Sequence, residues 1–190
     1  MTHNTKEMIL KSATKLLARN GASGTTMRTV AADSGVQASV IYHYFSTKDD
    51  LLRGVRQRLT KYLDDVFDNA KPVNGARELL AQRLELNIKH REEIVALLQY
   101  FMFAKQDFPL LSGGYVPPRA YRHMREIIDM GMEEGRYESE DPEFDAKILA
   151  HLVNGFLMEY YPHKITAYEL KMLVVKLTDF IEKSLTRDCV

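Results

Sequence analysis

The side chains best equipped for chemistry lie close together. Arg28, Gln37, Tyr42, His43, Tyr44 and Lys48 all fall within TTMRTVAADSGVQASVIYHYFSTKDD, from Thr25 to Asp50. They are chiefly donors and cations, which suit a polyanion with readable edges. Gln37 can form paired hydrogen bonds with adenine, Ala38 and Val40 can touch only apolar groups such as thymine methyls, and Arg28 can reach a phosphate or a guanine edge. Tyr42, His43 and Tyr44 are placed for backbone phosphates, contacts that position a protein without specifying bases. Aromatic packing is the competing reading for these three, strongest for Tyr44. Lys48 falls in the first turn of an expected helix, where a cation is unfavourable by roughly 0.3–1 kcal/mol unless an anion shares the site. With the free N–H groups of that helix it would hold a phosphate; the alternative is a solvated lysine offset by Asp49 and Asp50. Thr26 and Met27 border the same groove, and Thr26 can also cap a helix.

Two short helices and one turn must position these groups. Val30 and Ala31 are expected to be buried on the first helix, Gly35 allows a left-handed turn, and Val36, Ile41 and Phe45 are buried on and beside the second. A small residue at Ala31 lets the helices cross closely, and glycine at 35 makes a three- to four-residue turn feasible. Ser34 is more polar than this arrangement usually shows. The spacing is that of a helix-turn-helix, whose second helix enters the major groove with its N-terminal end nearest the bases. Turning Ile41 and Phe45 inward leaves Gln37, Ala38, Ser39, Val40, Tyr42, His43 and Tyr44 outward.

Catalytic signatures are missing. The chain has no Gly-rich phosphate loop, no His-x-x-His or His-Glu-x-x-His, and no Gly-x-Ser-x-Gly elbow. Its six histidines are scattered and its one cysteine, Cys189, stands one residue from the end, so neither a disulfide nor a cysteine metal site is expected. Acidic runs such as Glu138-Ser139-Glu140-Asp141 read as solvated faces. No cofactor, no metal and no enzymatic activity are expected.

Charge is unevenly divided. Residues 1–61 carry ten Lys/Arg against four Asp/Glu, a net of +6, and residues 62–190 carry 16 against 22, a net of −6. A basic first third on an acidic body fits one part made for a polyanion and another that is not. No apolar run approaches membrane-spanning length and Met1–Lys6 lack a signal-peptide core, so the expectation is a soluble cytoplasmic protein.

Apolar spacing makes the class all-α. A first helix is expected over about Thr5–Asn20, stopped by Gly21, with Thr25 or Thr26 capping a second. A third covers Gln37–Tyr44. Ser46 caps a fourth, about 47–70, with Asp49 completing a box-like start. Lys71-Pro72-Val73-Asn74-Gly75 is a break. Helices follow over Ala76–Lys89 and Glu92–Lys105, the latter apolar on nearly all sides and expected to be buried. Phe108–Pro118 reads as a loop before a helix over Arg119–Glu134 that ends at Gly135. Asp141-Pro142 opens the eighth, and a Thr166/Glu169 capping box opens the ninth.

The run GASGTTMRTVAADSGVQASVIYHYFSTKDDLL, and above all Ile41-Tyr42-His43-Tyr44-Phe45 followed by Lys48 and Leu51-Leu52, resembles the DNA-binding domain of the tetracycline-repressor (TetR) family of bacterial transcription regulators. The close likeness covers roughly residues 6–55. Where that family commonly has Ser, Lys, Gly and Thr, this chain has Gln37, Ala38, Ser39 and Val40, so its reading surface lacks the usual long cation. The resemblance implies about nine helices: a three-helix DNA-binding domain over 1–50, the fourth helix as link, and a ligand-binding and dimerisation domain over 51–190. It further implies a homodimer on palindromic double-stranded operator DNA, released by a small-molecule effector. Phe101, Met102, Phe108, Tyr121, Met124, Ile128 and Phe156 are the candidate pocket lining. Leu149, Leu152, Val153, Phe156, Leu170, Leu173, Val174, Leu177, Phe180 and Ile181 are the candidate dimer interface. The rival is a DNA-binding protein of the same fold that acts through protein partners without an inducer.

Overall fold

Helix caps and glycines set the outline of the computed structural model, which describes residues 2–103, 118–161 and 163–186. Those residues form α1 (Thr2–Gly24), α2 (Met27–Ser34), α3 (Ala38–Tyr44), α4 (Lys48–Asp68), α5 (Ala76–Lys89), α6 (Arg91–Phe103), α7 (Pro118–Glu133), α8 (Pro142–Tyr160) and α9 (Ala167–Leu185), with no strand among them. They gather into two compact units. The first holds α1 to α3, α4 as far as Val66, and α6 from Glu92; the second holds α5, α7, α8 and α9.

In the first unit the apolar stripes close on one another. Ile9, Ala13 and Leu17 of α1 and Leu51, Val55, Leu59 and Leu63 of α4 are all fully buried. Gly21 interrupts α1 at the predicted place, at φ 65° and ψ −177°, a conformation essentially confined to glycine, and helical backbone resumes to Gly24. The hydroxyl of buried Thr25 donates to the Gly21 carbonyl at 2.8 Å, leaving Thr26 as the cap of α2.

Two expectations here are corrected. The cap of α4 is Thr47, not Ser46. Its Oγ1 accepts the Asp50 N–H at 3.1 Å, and the Asp50 carboxylate accepts the Thr47 N–H at 3.0 Å. Phe45, extended at φ −139° and buried, moves the helix start one residue along, so Asp50 rather than Asp49 closes the box. Burial of α6 is also partial: Ile94, Val95, Ala96 and Leu97 are buried, but Met102 and Phe103 are exposed. An apolar residue on every side of a helix does not by itself supply a neighbour on every side.

In the second unit the predicted boundaries hold. Gly75, at φ 95°, precedes α5, whose Ala76 N–H donates to the Glu134 carboxylate at 3.0 Å. Asp141 accepts the Phe144 N–H at 3.0 Å with Pro142 at the first helical position. The Thr166/Glu169 box closes as expected, at 2.8 and 3.2 Å. Arg77 of α5 pairs with Asp179 at 2.7 Å and with Glu182, both on α9.

The candidate interface residues divide by burial. Leu149, Val153 and Ile181 are buried inside the subunit and leave little surface for a partner, which speaks against their place in that set. Leu152, Phe156, Leu170, Leu173, Val174 and Leu177 are half-buried, and Phe180 is exposed. The exposed large apolar residues of these helices are Phe144, Ile148 and Tyr160 on α8, and Tyr168, Met172, Val175 and Phe180 on α9. A stripe wide enough to serve two neighbours does not announce which edge serves which. Phe108 and Cys189 lie outside the described residues, as does nearly all of the expected Phe108–Pro118 loop.

Candidate nucleic-acid interface

Polar ties on its inner side hold α2 against α1. Asp33 accepts from the Ser12 hydroxyl at 2.8 Å and from the Lys15 ammonium at 2.7 Å. Those bonds, Lys15 first and Ser12 second, hold the Asp33 carboxyl below the usual carboxylate range. Ser34 is accommodated because its hydroxyl donates to the Val30 carbonyl at 2.6 Å, within the last turn of α2. At the other end Thr26 and Thr29 close a reciprocal capping box, with threonine in the position more often held by Glu or Gln. Gly35 follows at φ 70° and ψ 17°, the left-handed turn its spacing predicts.

That frame presents α3. Ile41 is fully buried and Phe45 nearly so, which anchors the helix from below. Room for the Phe45 ring comes from Gly54 of α4, where an added Cβ would lie 2.9 Å from a ring carbon. Sequence reasoning passed over that glycine, although a lone glycine inside a strong helical stripe is the signal for a close approach. Gln37 is the N-cap of α3 but makes no capping bond with its side chain, so its amide stays outward. Ala38 and Ser39 are exposed, and Val40 and Val36 are half-buried, the latter less enclosed than expected. Tyr42 is 56% exposed and His43 is exposed, whereas Tyr44 is half-buried and meets the His43 ring edge-on at 5.2 Å. Arg28 and Thr26 are exposed on α2 and its cap, but Met27 is buried with Val30 and Ala31. A buried thioether cannot border a groove, so Met27 supports the frame.

Lys48 opens α4. The first bond within that helix runs from the Leu51 N–H to the Thr47 carbonyl at 3.1 Å, so the N–H groups of Lys48 and Asp49 have no acceptor within it. These two N–H groups and the Lys48 ammonium are the makings of an anion site, opposed by Asp49 and Asp50 in the same turn. The ammonium also lies 5.4 Å from the ring centroid of Phe103 on α6, a contact that the sequence did not disclose.

The candidate pocket residues are distributed. Phe101 and Met102 belong to α6, where Phe101 meets Tyr100 edge-on at 5.4 Å and Met102 is exposed. In the second unit Met124 and Ile128 are core residues, Phe156 stacks on Tyr160 at 4.3 Å, and Tyr121 lines a shallow cleft along α7 with Arg125 and Asp129. Among the described residues no group of three or more His, Cys, Asp or Glu could hold a metal ion, and no helix is long and apolar enough to cross a membrane.

Residues 9–55 match the family model for bacterial regulatory proteins of the tetR family. The chain is 26% identical over 153 residues to the HTH-type transcriptional repressor KstR2 of Mycobacterium tuberculosis, an alignment covering 76% of this chain and 74% of that one. It is 25% identical over 147 residues to the HTH-type transcriptional repressor NicS of Pseudomonas putida, covering 72% and 67%. In fold it is similar to a transcriptional regulator from Saccharomonospora viridis solved in complex with choline, with a TM-score of 0.68 at 20% identity over 98% of this chain and 100% of that one. The matched family and these relatives are regulators, not enzymes. The helix-turn-helix frame built from residues 9–55 thus matches the tetR family of bacterial regulatory proteins, and the described residues are similar in helical fold to a solved transcriptional regulator.

Proposed function

We propose that the chain is a ligand-responsive repressor, acting in the cytoplasm, that binds a palindromic operator as a homodimer through α3. Residues 1–50 would read DNA, and 51–190 would carry effector binding and dimerisation. The observation that supports this most is the presentation of Gln37, Ala38 and Ser39 on a helix anchored by buried Ile41, with exposed Arg28 and Tyr42 beside it. Gln37 reads adenine, Ala38 and Val40 meet thymine methyls, and Tyr42, His43, Tyr44 and Lys48 grip phosphates. Two copies of α3 would enter successive major grooves about 34–36 Å apart or somewhat more. For dimerisation the exposed apolar residues Phe144 and Ile148 on α8, and Tyr168, Met172, Val175 and Phe180 on α9, are the available surface. The repressor sign follows the names of KstR2 and NicS, and the choline in the Saccharomonospora regulator supports a small effector. The chain passes from one unit to the other within α4, so α4 is the element through which an effector would alter the separation of the two readers. That requires the effector to bind one separation better than the other.

The test begins with DNA selected by the protein from a random pool, then a salt titration of its affinity. Lys48→Ala should lower the salt slope by about one per subunit, and Tyr42→Ala should weaken binding to all sequences with the slope unchanged. Gln37→Ala should instead relax preference at single positions. An unchanged slope in Lys48→Ala would remove that residue from the phosphate contacts.

A further inference from the structure

The second unit holds a cleft of about 490 Å³ where the C-terminal end of α4, the turn after it, α5 and α7 meet. Its lining is partly apolar, with Phe67, Pro72, Val73, Leu79 and Met130, and partly charged, with Lys71, Arg83 and Arg122 beside Asp68 and Glu126. Three cations face two carboxylates there, and both ion pairs are loose: Arg83 to Glu126 at 3.4 Å and Arg122 to Asp68 at 3.6 Å.

Arg83 is the unusual member. It is only 8% exposed, one terminal nitrogen donates to the Phe67 carbonyl at 2.8 Å, and its buried Nε–H has no acceptor. A buried guanidinium with an unmatched donor and one long ion pair is costly unless something anionic completes it. Its neighbours add to the positive field. The guanidiniums of Arg83 and Arg119 lie 5.7 and 5.3 Å from the Phe67 ring, and His123 stacks on that ring at 4.7 Å. Burial, and then the fields of Arg83, Arg119 and Arg122, keep the His123 imidazole neutral down to about pH 3. Neutral His123 therefore adds no counter-charge and leaves the cations as the dominant feature.

We propose that this cleft binds the anionic head of the effector, a carboxylate or a phosphate, on Arg83, Arg122 and Lys71, with the apolar remainder of the same small molecule against Phe67, Val73 and Leu79. The proposal rests on the reading of the chain as an effector-responsive regulator and adds the effector's class: a small amphipathic anion. Binding exchanges the long pairs to Glu126 and Asp68 for shorter charge-assisted bonds. It does so at the residues where α4 ends.

The His123 ring signals in NMR spectra of the full-length protein report occupancy, since that ring lies on the cleft wall. The probes are benzoate and phenyl phosphate, with benzamide as the uncharged match and inorganic phosphate as the bare head. Saturable shifts at His123 with either anion, none with benzamide, and at least about tenfold weaker binding in the surface variant Lys71→Gln/Arg122→Gln are expected. Benzoate and phenyl phosphate separate the carboxylate from the phosphate source. Arg83→Lys, which keeps the charge but loses the fork, should weaken both anions more than the surface pair does. Equal binding of benzamide, undiminished affinity in Lys71→Gln/Arg122→Gln, or silent His123 signals would each overturn the site. The same probes are then titrated against the complex with selected DNA. Shifts at His123 without change in DNA affinity would overturn the effector role while leaving the anion site. DNA release by another ligand with His123 silent would overturn the site while leaving the effector reading.

Discussion

The reader in the first unit and the helical body in the second are built by different means. In the reader, short-range chemistry decides nearly everything. Caps at Thr26 and Thr47 and the ties from Ser12 and Lys15 to Asp33 are made by polar side chains of the same or the next helix, and Gly35 makes the turn between α2 and α3. In the body the polar ties join distant points in the chain: Arg77 with Asp179 and Glu182, the Ala76 N–H with Glu134, Arg83 with Glu126. The reader is legible because its partners are near in sequence. The body is not, because its stripes fix only that a helix packs, not on what.

Two isoleucines test that contrast with the largest expected effect. Ile41, on the predicted inner side of α3, is fully buried, while Ile148 of α8 is 48% exposed. Ile41→Ala should cost about 2–5 kcal/mol in urea unfolding, and Ile148→Ala in dilute protein less than about 0.5 kcal/mol. A cost at Ile148 like that at Ile41 would mean that this face is covered within the subunit.

Acid should separate the two regions next. His123 has its folded value lowered from 6.5 to about 3, so the unfolded chain takes up its proton first. Its contribution is intact above the unfolded value and declines below it, by about 1.4 kcal/mol per pH unit at most. Between pH 7 and pH 5 the loss should approach about 2 kcal/mol, and His123→Phe, which keeps a ring against Phe67, should remove it. Asp33, also lowered, acts in another window. Its stability is present above the unfolded value of 3.8 and is lost only as pH falls through the folded one. Unfolding curves at pH 7, 5 and 3.5 distinguish the two, and acid sensitivity that persists near pH 5 in His123→Phe would show that another group carries it.

The smallest effect sharpens the reader itself. Thr47→Ala should destabilise by about 1 kcal/mol, and Ser46→Ala by a few tenths, if the cap of α4 lies where Thr47 and Asp50 close their box. The reverse order in thermal unfolding would return the helix start to Ser46.

Most of the fold and the exposure of Gln37 to Ser39, Arg28 and Tyr42 followed from spacing and caps. What failed in the reader failed at single positions. Met27 satisfies both an inward stripe and a groove edge on paper, and only packing chose burial. Ser46 and Thr47 are equivalent caps on paper, and the extended, buried Phe45 chose between them. In the body, Arg83 and Arg122 gave no signal, since they are isolated letters on separate helices that only folding collects into one cleft with Lys71 and His123.

The sequence by itself determined the all-α class, the positions of most caps and the helix-turn-helix frame, because periodicity, capping and glycine turns act over a few residues. Tertiary structure alone decided which edge of α8 and α9 stays exposed, that Phe103 meets Lys48, and that a buried arginine sits in a cationic cleft. These depend on which helices become neighbours, and that choice is made by shape and total burial across the chain rather than by any local pattern.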